Sequence, residues 1–220
     1  MNSPGPLNNS GPVIGIIDYG AGNLRSVENA LRFLGAAPRV CKDPAELLLV
    51  DGVILPGVGS FGYAMCSLQR AGFVPAIRQA LEKRPLLGIC LGMQLLFESS
   101  EESPGIRGLS VIPGRVRKLG AVNGLKVPNM GWCAVINVRS RLLGTAGAST
   151  RYYFAHSYVC TLDDRTVTAM VIDEDGGFAA AVETGLVFGV QFHPEKSAGS
   201  GLRVLERYIH LCESRVVPCR

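Results

Sequence analysis

The sequence predicts an α/β domain: a mostly parallel sheet with helices on both faces, followed by additional mixed or antiparallel strands in the C-terminal half. Three observations carry this. Short apolar runs such as Val13-Ile14-Gly15-Ile16-Ile17 end in glycine-rich turns. Segments with apolar residues at helical spacing lie between those runs. After about Gly114 the helical spacing gives way to closely spaced β-like runs. Buried strands alternating with helices need crossover connections, which produce a parallel sheet covered on both faces. Closely spaced strands without intervening helices connect instead as hairpins or meanders.

Taken in order, residues 1–11 are rich in Asn, Ser, Pro and Gly and are expected to form a flexible tail, which leaves 12–220 as a single domain. Residues 13–17 read as a strand buried on both faces, ending at Asp18 before the turn formers Gly20-Ala21-Gly22-Asn23. Leu24, Val27, Ala30, Leu31 and Leu34 recur at helical spacing, and Gly35 closes that helix. A second strand, 52–55, runs into Pro56-Gly57-Val58-Gly59, and a third, 85–89, runs into Cys90. Helical segments fall at 45–49, 63–70 and 74–83. The later β-like runs are 115–119, 132–138, 152–155, 167–172, 179–183 and 187–191, and a helix over 201–211 closes the chain. The small, polar stretch 143–150 reads as an insertion. In sheets of this kind ligands bind at the carboxyl ends of the strands, where the glycine-rich turns lie.

Composition narrows the function. The chain has 220 residues and a net charge of +4, with 22 Lys+Arg against 18 Asp+Glu. Its densest basic stretch is Arg115, Arg117 and Lys118, too little for a nucleic-acid surface. No stretch approaches the ~18–20 apolar residues of a membrane-spanning helix, and 1–12 lacks the basic and apolar regions of a signal peptide. A cytoplasmic protein is expected. The seven cysteines are scattered, with no Cys-x-x-Cys pair and only three histidines in the chain, so neither a disulfide framework nor a metal site is expected. Gly20-Ala21-Gly22 follows a strand and precedes a helix, as a dinucleotide-binding loop would, but Leu24, Arg25 and Ser26 stand where the third glycine is needed for close packing.

The most informative segment is Gly88-Ile89-Cys90-Leu91-Gly92-Met93-Gln94. Gly-x-Cys-x-Gly between an apolar strand and a helix is the nucleophile-elbow pattern, more often seen with serine. The sharp turn brings backbones together, and glycines two residues either side of the nucleophile leave room for it. At a helix start the backbone dipoles favour a thiolate. A cysteine nucleophile requires a base, and His193 ends an apolar run with Pro194 and Glu195 after it. The proline imposes a turn that lets Glu195 fold back on the imidazole and hold its tautomer. His210 falls on the closing helix. Attack on an amide or ester also needs backbone N–H groups for the developing oxyanion, and the flexible turn Pro56-Gly57-Val58-Gly59 supplies them.

Together Pro56-Gly57-Val58-Gly59, Gly88-Ile89-Cys90-Leu91-Gly92-Met93-Gln94 and Gln191-Phe192-His193-Pro194-Glu195 resemble the class I (triad) glutamine amidotransferases over nearly all of 13–211. More narrowly, Asp18-Tyr19-Gly20-Ala21-Gly22-Asn23-Leu24, Met130-Gly131-Trp132, Tyr152-Tyr153-Phe154-Ala155-His156-Ser157-Tyr158 and His193-Pro194-Glu195-Lys196-Ser197 are similar to the glutaminase subunits of imidazole glycerol phosphate synthases. The resemblance implies that Cys90 attacks the side-chain amide of glutamine, that His193 moves the protons and that Glu195 orients His193. It places oxyanion donors at Val58 and Leu91, and glutamine-pocket residues at Gly57, Gly59, Gln94, Glu102, His156, Ser157 and Tyr158. Glu102 is suited by charge to the α-amino group. No cofactor is implied. The implied partner is a (β/α)8 cyclase subunit that receives ammonia, forming a heterodimer, with Asn129, Met130 and Trp132 at or near the interface. The elbow and the His-Pro-Glu turn alone also fit the glutaminase of another synthase or an unrelated cysteine hydrolase.

Overall fold

The computed structural model describes residues 11–120, 127–137, 139–144, 150–161, 166–171 and 177–214. Nearly all of the expected tail, most of the expected insertion and Cys219 lie outside these residues. The first half contains β1 (Val13–Ile17), α1 (Leu24–Phe33), β2 (Ala37–Cys41), a 3-10 segment (Pro44–Leu49), β3 (Gly52–Leu55), α2 (Phe61–Arg70), α3 (Phe73–Leu81), β4 (Leu86–Ile89) and the single turn α4 (Leu91–Gln94). The second half adds β5 (Ser99–Ser100), β6 (Arg115–Lys118), β7 (Asn129–Ala134), β8 (Ile136–Asn137), β9 (Arg151–His156), β10 (Tyr158–Cys160), β11 (Val167–Val171), β12 (Phe178–Thr184) and β13 (Val187–Val190). A second 3-10 turn (Pro194–Lys196) and α5 (Ala198–Glu213) follow.

Among the described residues the main sheet runs β2-β1-β3-β4-β13-β12-β11-β8. From β2 to β13 the neighbours are parallel, and from β13 to β8 they are antiparallel. This is the expected division, with one refinement: β13, from the C-terminal half, completes the parallel part. Residue alternation along each strand builds two cores. Ile14, Ile16, Ile54, Leu87 and Ile89 face α1 and α5, while Ile17, Val53, Leu55 and Leu86 face α2 and α3. Tyr208 of α5 ties its core to the sheet, its hydroxyl donating to the carbonyls of Val53 and Pro85 at 2.7 and 2.9 Å.

Several elements depart from the sequence reading. β2 is an edge strand containing Pro38 and Arg39 and is mostly half-buried, so it lacks the unbroken apolar run that marks its neighbours. The run 132–138 splits at buried Val135: β7 pairs with β9 in a separate ribbon, and β8 joins the main sheet. Gly35 does close α1, at φ +83° with its amide donating to the Arg32 carbonyl. Of the free cysteines described, Cys41, Cys160 and Cys212 are buried, as is Cys90, and Cys133 is half-buried, whereas Cys66 is exposed on α2. No helix of the described residues is long and apolar enough to cross a membrane.

The topology gathers the glycine-rich turns at one edge. The segments after β1, β3, β4 and β13 all leave the carboxyl ends of parallel strands. Val190 pairs with Ile89, and the Cys90 amide donates to the Val190 carbonyl at 2.8 Å. Register alone therefore sets the segment after β13 beside Cys90.

Candidate active site

Cys90 sits between β4 and α4 at φ +54°, ψ −111°, a conformation that residues with a Cβ adopt rarely and at a cost. The flanking glycines show how tight the turn is. A Cβ on Gly88 would lie 2.7 Å from the Gly92 carbonyl oxygen, and one on Gly92 would lie 1.8 Å from that of Leu55. The elbow is thus packed against the end of β3. Gly92→Ala is expected to lower stability by about 3 kcal/mol through this backbone overlap, measurable by denaturant or thermal unfolding. An unchanged melting temperature would contradict the packing described. α4 is one turn only, so its dipole is short, but Leu91 at its first position has an amide with no intrahelical acceptor.

His193 follows β13 and is buried. Its Nδ1–H donates to Glu195 Oε1 at 2.9 Å, which leaves Nε2 for the sulfur of Cys90, its hydrogen-bond partner. Burial by itself pushes the imidazole pKa down. Hydrogen bonds to Cys90 and Glu195, and their negative charges, outweigh it and raise the value to about 9. The Glu195 carboxylate is itself almost fully enclosed; its Oε1 also receives a long 3.5 Å bond from Asn23 Nδ2, and its Oε2 has no partner. The His193 backbone is pinned to β9. Its amide donates to the Tyr153 carbonyl, and buried Ser197 accepts from the Tyr153 amide at 2.9 Å while donating to the His193 carbonyl at 2.7 Å.

Cys90 opens onto a cleft of about 380 Å³ lined by Val58, Gly59, Leu91, Gln94, Glu102, His156, Ser157, Tyr158 and His193, among others. Expected oxyanion and glutamine-pocket positions thus meet the cysteine, with one exception. Gly57 does not line the cleft. It is buried against Leu91 and Gly92, where a Cβ would lie 2.6 Å from the Gly92 amide nitrogen, so its part is to let two turns touch. Tyr19 fixes the root of the same loop, its hydroxyl donating to the Pro56 carbonyl at 2.9 Å. Glu102 reaches the cleft with one oxygen already engaged, accepting from the Phe61 amide at the start of α2 at 2.7 Å.

His156 is held neutral. Burial lowers its pKa to about 4, against the raising effect of the Tyr158 carbonyl. Its Nδ1–H donates to that carbonyl at 3.0 Å, so Nε2 is the acceptor facing Asn129 Nδ2 at 3.1 Å. Asn129 is therefore not on an outer surface: it is buried, facing inward from β7. Met130 and Trp132, on the opposite face of that strand, are 66% and 46% exposed. Met130 reaches the cleft; Trp132 does not line it, and packs edge-on against Tyr153. Sequence reasoning missed Tyr19, Asn23, Gln191 and Ser197 as site residues. Gln191 carried a usable signal, an uncharged polar residue inside an apolar strand ending.

A parallel α/β sheet with an enclosed cysteine on a strained strand-to-helix turn, facing a histidine held by a glutamate, defines a protein of the elbow-nucleophile class. The chain belongs to the class-I glutamine amidotransferases: the sequence profile described as "Glutamine amidotransferase class-I" matches residues 15–210. Within that family it is 48% identical over 198 residues to "Imidazole glycerol phosphate synthase subunit HisH" of Moorella thermoacetica, covering 89% of this chain and 93% of that one. The Bacillus cereus protein of the same name is 45% identical over 92% of this chain and 96% of its own. "Imidazole glycerol phosphate synthase hisHF, chloroplastic" of Arabidopsis thaliana is 42% identical over 91% of this chain but only 34% of its own length. The solved "Structure of PurLQS from Thermotoga maritima" superposes with a TM-score of 0.71 at 21% identity, over 91% of this chain and 99% of that one, a likeness of fold.

Proposed function

We propose that this chain is the glutaminase subunit of an imidazole glycerol phosphate synthase, acting in histidine biosynthesis in the cytoplasm. It hydrolyses glutamine to glutamate and ammonia and passes the ammonia to a separate (β/α)8 cyclase subunit, which makes imidazole glycerol phosphate and AICAR. The observation that carries the reading is the meeting of Cys90 and His193 at a cleft of amino-acid size, with Glu195 holding the histidine from behind, in a chain so similar to HisH subunits. The hisHF relative supports a partner, since this chain matches only a third of its length.

In the reaction, Cys90 Sγ attacks the side-chain amide carbon of glutamine, and the carbonyl oxygen takes the negative charge between the amides of Val58 and Leu91. His193 gives its Nε2 proton to the leaving nitrogen, the C–N bond breaks, and ammonia departs from a thioester. Water, deprotonated by His193, then attacks the thioester, releasing glutamate and restoring the thiolate. Gly59, Gln94, His156, Ser157 and Tyr158 surround the substrate, and the free oxygen of Glu102 meets its ammonium group. Val58, Met130 and Trp132 are exposed apolar side chains on the docking face for the cyclase, and buried Asn129 holds His156 of the pocket from behind.

The exposed Val58–Gly59 turn implies that oxyanion alignment depends on the partner. Glutamate release from the isolated chain is expected to rise at least tenfold when the cyclase subunit and its ribonucleotide substrate are added, on the order of 1.4 kcal/mol or more in barrier. Full turnover without the partner, or equal stimulation by an unrelated synthase, would overturn the assignment.

A further inference from the structure

Gln191 is fully buried between β13 and the His-Pro-Glu turn, and it does not line the cleft. Its side-chain Nε2 points at Cys90 Sγ at 3.6 Å, and its Oε1 accepts from Gln94 Nε2 at 3.1 Å. The orientation of both amides follows from one fixed acceptor. A backbone carbonyl only accepts, so the 2.9 Å contact of Gln94 with the Tyr158 carbonyl must be made by the Gln94 NH2 group. That same NH2 group faces Gln191, so Gln191 must present its oxygen to Gln94 and its N–H to the sulfur. The Tyr158 carbonyl is held in turn by the Nδ1–H of His156.

We propose that Gln191 is a second, permanent hydrogen-bond donor to the nucleophile, which holds the Cys90 sulfur in its attacking rotamer and favours the thiolate. The two ionisation states of the sulfur use their neighbours differently. As a thiol, Cys90 donates its S–H towards the Ala155 carbonyl, 3.8 Å away, and accepts from Gln191. As a thiolate it has only acceptor capacity, and the N–H of Gln191 and the protonated His193 both serve it. Hydrogen bonds to a charged group are stronger than those to its neutral form, so the contact biases the sulfur towards ionisation. His193 leaves this arrangement whenever it carries its proton to nitrogen or to water. Gln191 cannot give its proton up, so it still faces the sulfur when the thioester breaks.

The inference rests on Cys90 being the nucleophile, and its test is separable from that reading. In Gln191→Met, an unbranched side chain of similar length, alkylation of the folded chain by iodoacetamide is followed at the Cys90 peptide as a function of pH, with the exposed Cys66 peptide as internal reference. The alkylation profile is expected to shift to higher pH and the rate at neutral pH to fall about tenfold. With the partner present, kcat for glutamine falls by a similar factor while KM stays within about twofold, because Gln191 does not touch the substrate. Should the variant not fold, the parent protein carries the test: the Gln191 side-chain amide proton resonance moves with pH as the sulfur titrates, and loses that movement in Cys90→Ala. An alkylation profile superposable on the parent's, or an amide resonance indifferent to the sulfur, overturns the proposal. If Cys90→Ala kept its glutaminase activity, the nucleophile assignment itself would fail instead.

Discussion

Cys90→Ala is expected to lower partner-stimulated glutaminase turnover by about 10⁴-fold or more, since no other cysteine among the described residues faces the cleft and the histidine has nothing to activate in its place. The loss has a structural signature that separates it from misfolding. The φ of +54° at position 90 is imposed by the β4–α4 turn, whatever residue stands there. Alanine inherits the backbone strain, whereas glycine relieves it. Cys90→Gly should therefore be as inactive as Cys90→Ala yet more stable than it, by about 1 kcal/mol, even though glycine gives the unfolded chain more freedom. In most positions that order is reversed. Side-by-side denaturant unfolding of the two variants checks it, and a glycine variant less stable than the alanine one would mean that the elbow is not strained. Binding of glutamine without turnover by either variant would show that the cleft survives the loss of the sulfur.

What was legible in the sequence was what local pattern encodes. Apolar runs ending in glycine-rich turns mark the parallel strands because those strands are buried on both faces, and Gly-x-Cys-x-Gly marks the elbow because only a turn packed on other backbone needs glycine at both places. β2 was not legible for the same reason: an edge strand with proline has no such pattern. The residues missed around the site are held there by pairing between distant segments. Gln191 meets Cys90 because β13 lies in register beside β4, and Ser197 holds His193 because the chain after β13 crosses the end of β9. Neither relation exists along the sequence. Asn129 shows what a motif leaves out. A motif names neighbouring residues together, but a strand sends alternate side chains to opposite faces, so Met130 and Trp132 reach the surface while Asn129 turns inward to His156. The resemblance implies a place for Gly57 in the glutamine pocket, but a single residue's contacts are not written in a motif: Gly57 packs against Leu91 and Gly92 and does not line the cleft.

Glu195→Gln is expected to reduce kcat/KM for glutamine by about 10³-fold and to move the alkaline limb of the pH profile downwards. His193 must carry a proton to release ammonia. The negative charge of Glu195 and its 2.9 Å bond to Nδ1 help keep that proton on the ring until about pH 9. Activity of the parent protein should therefore hold through neutral pH and fall as pH rises through that value, an apparent constant belonging to the Cys90–His193 pair rather than to the histidine alone. With an amide in place of the carboxylate the charge is gone. Burial, which pushes the imidazole pKa down, is then opposed by Cys90 and by the hydrogen bond to the remaining amide oxygen, without the carboxylate charge, so the proton leaves at lower pH. The sign of the shift is the test: a limb that stays put would show that Glu195 fixes ring orientation without holding the proton. Stability provides a second reading. Oε2 of Glu195 lies buried without a partner, and an acceptor there is tolerated because the protonated imidazole offsets its charge. An amide NH2 in the same place would be a buried donor with nothing to receive it, costing about 1–3 kcal/mol. Glu195→Gln should thus melt below the parent near neutral pH, whereas loss of activity with no loss of stability would place the substituted amide in contact with water, contrary to the burial of Glu195.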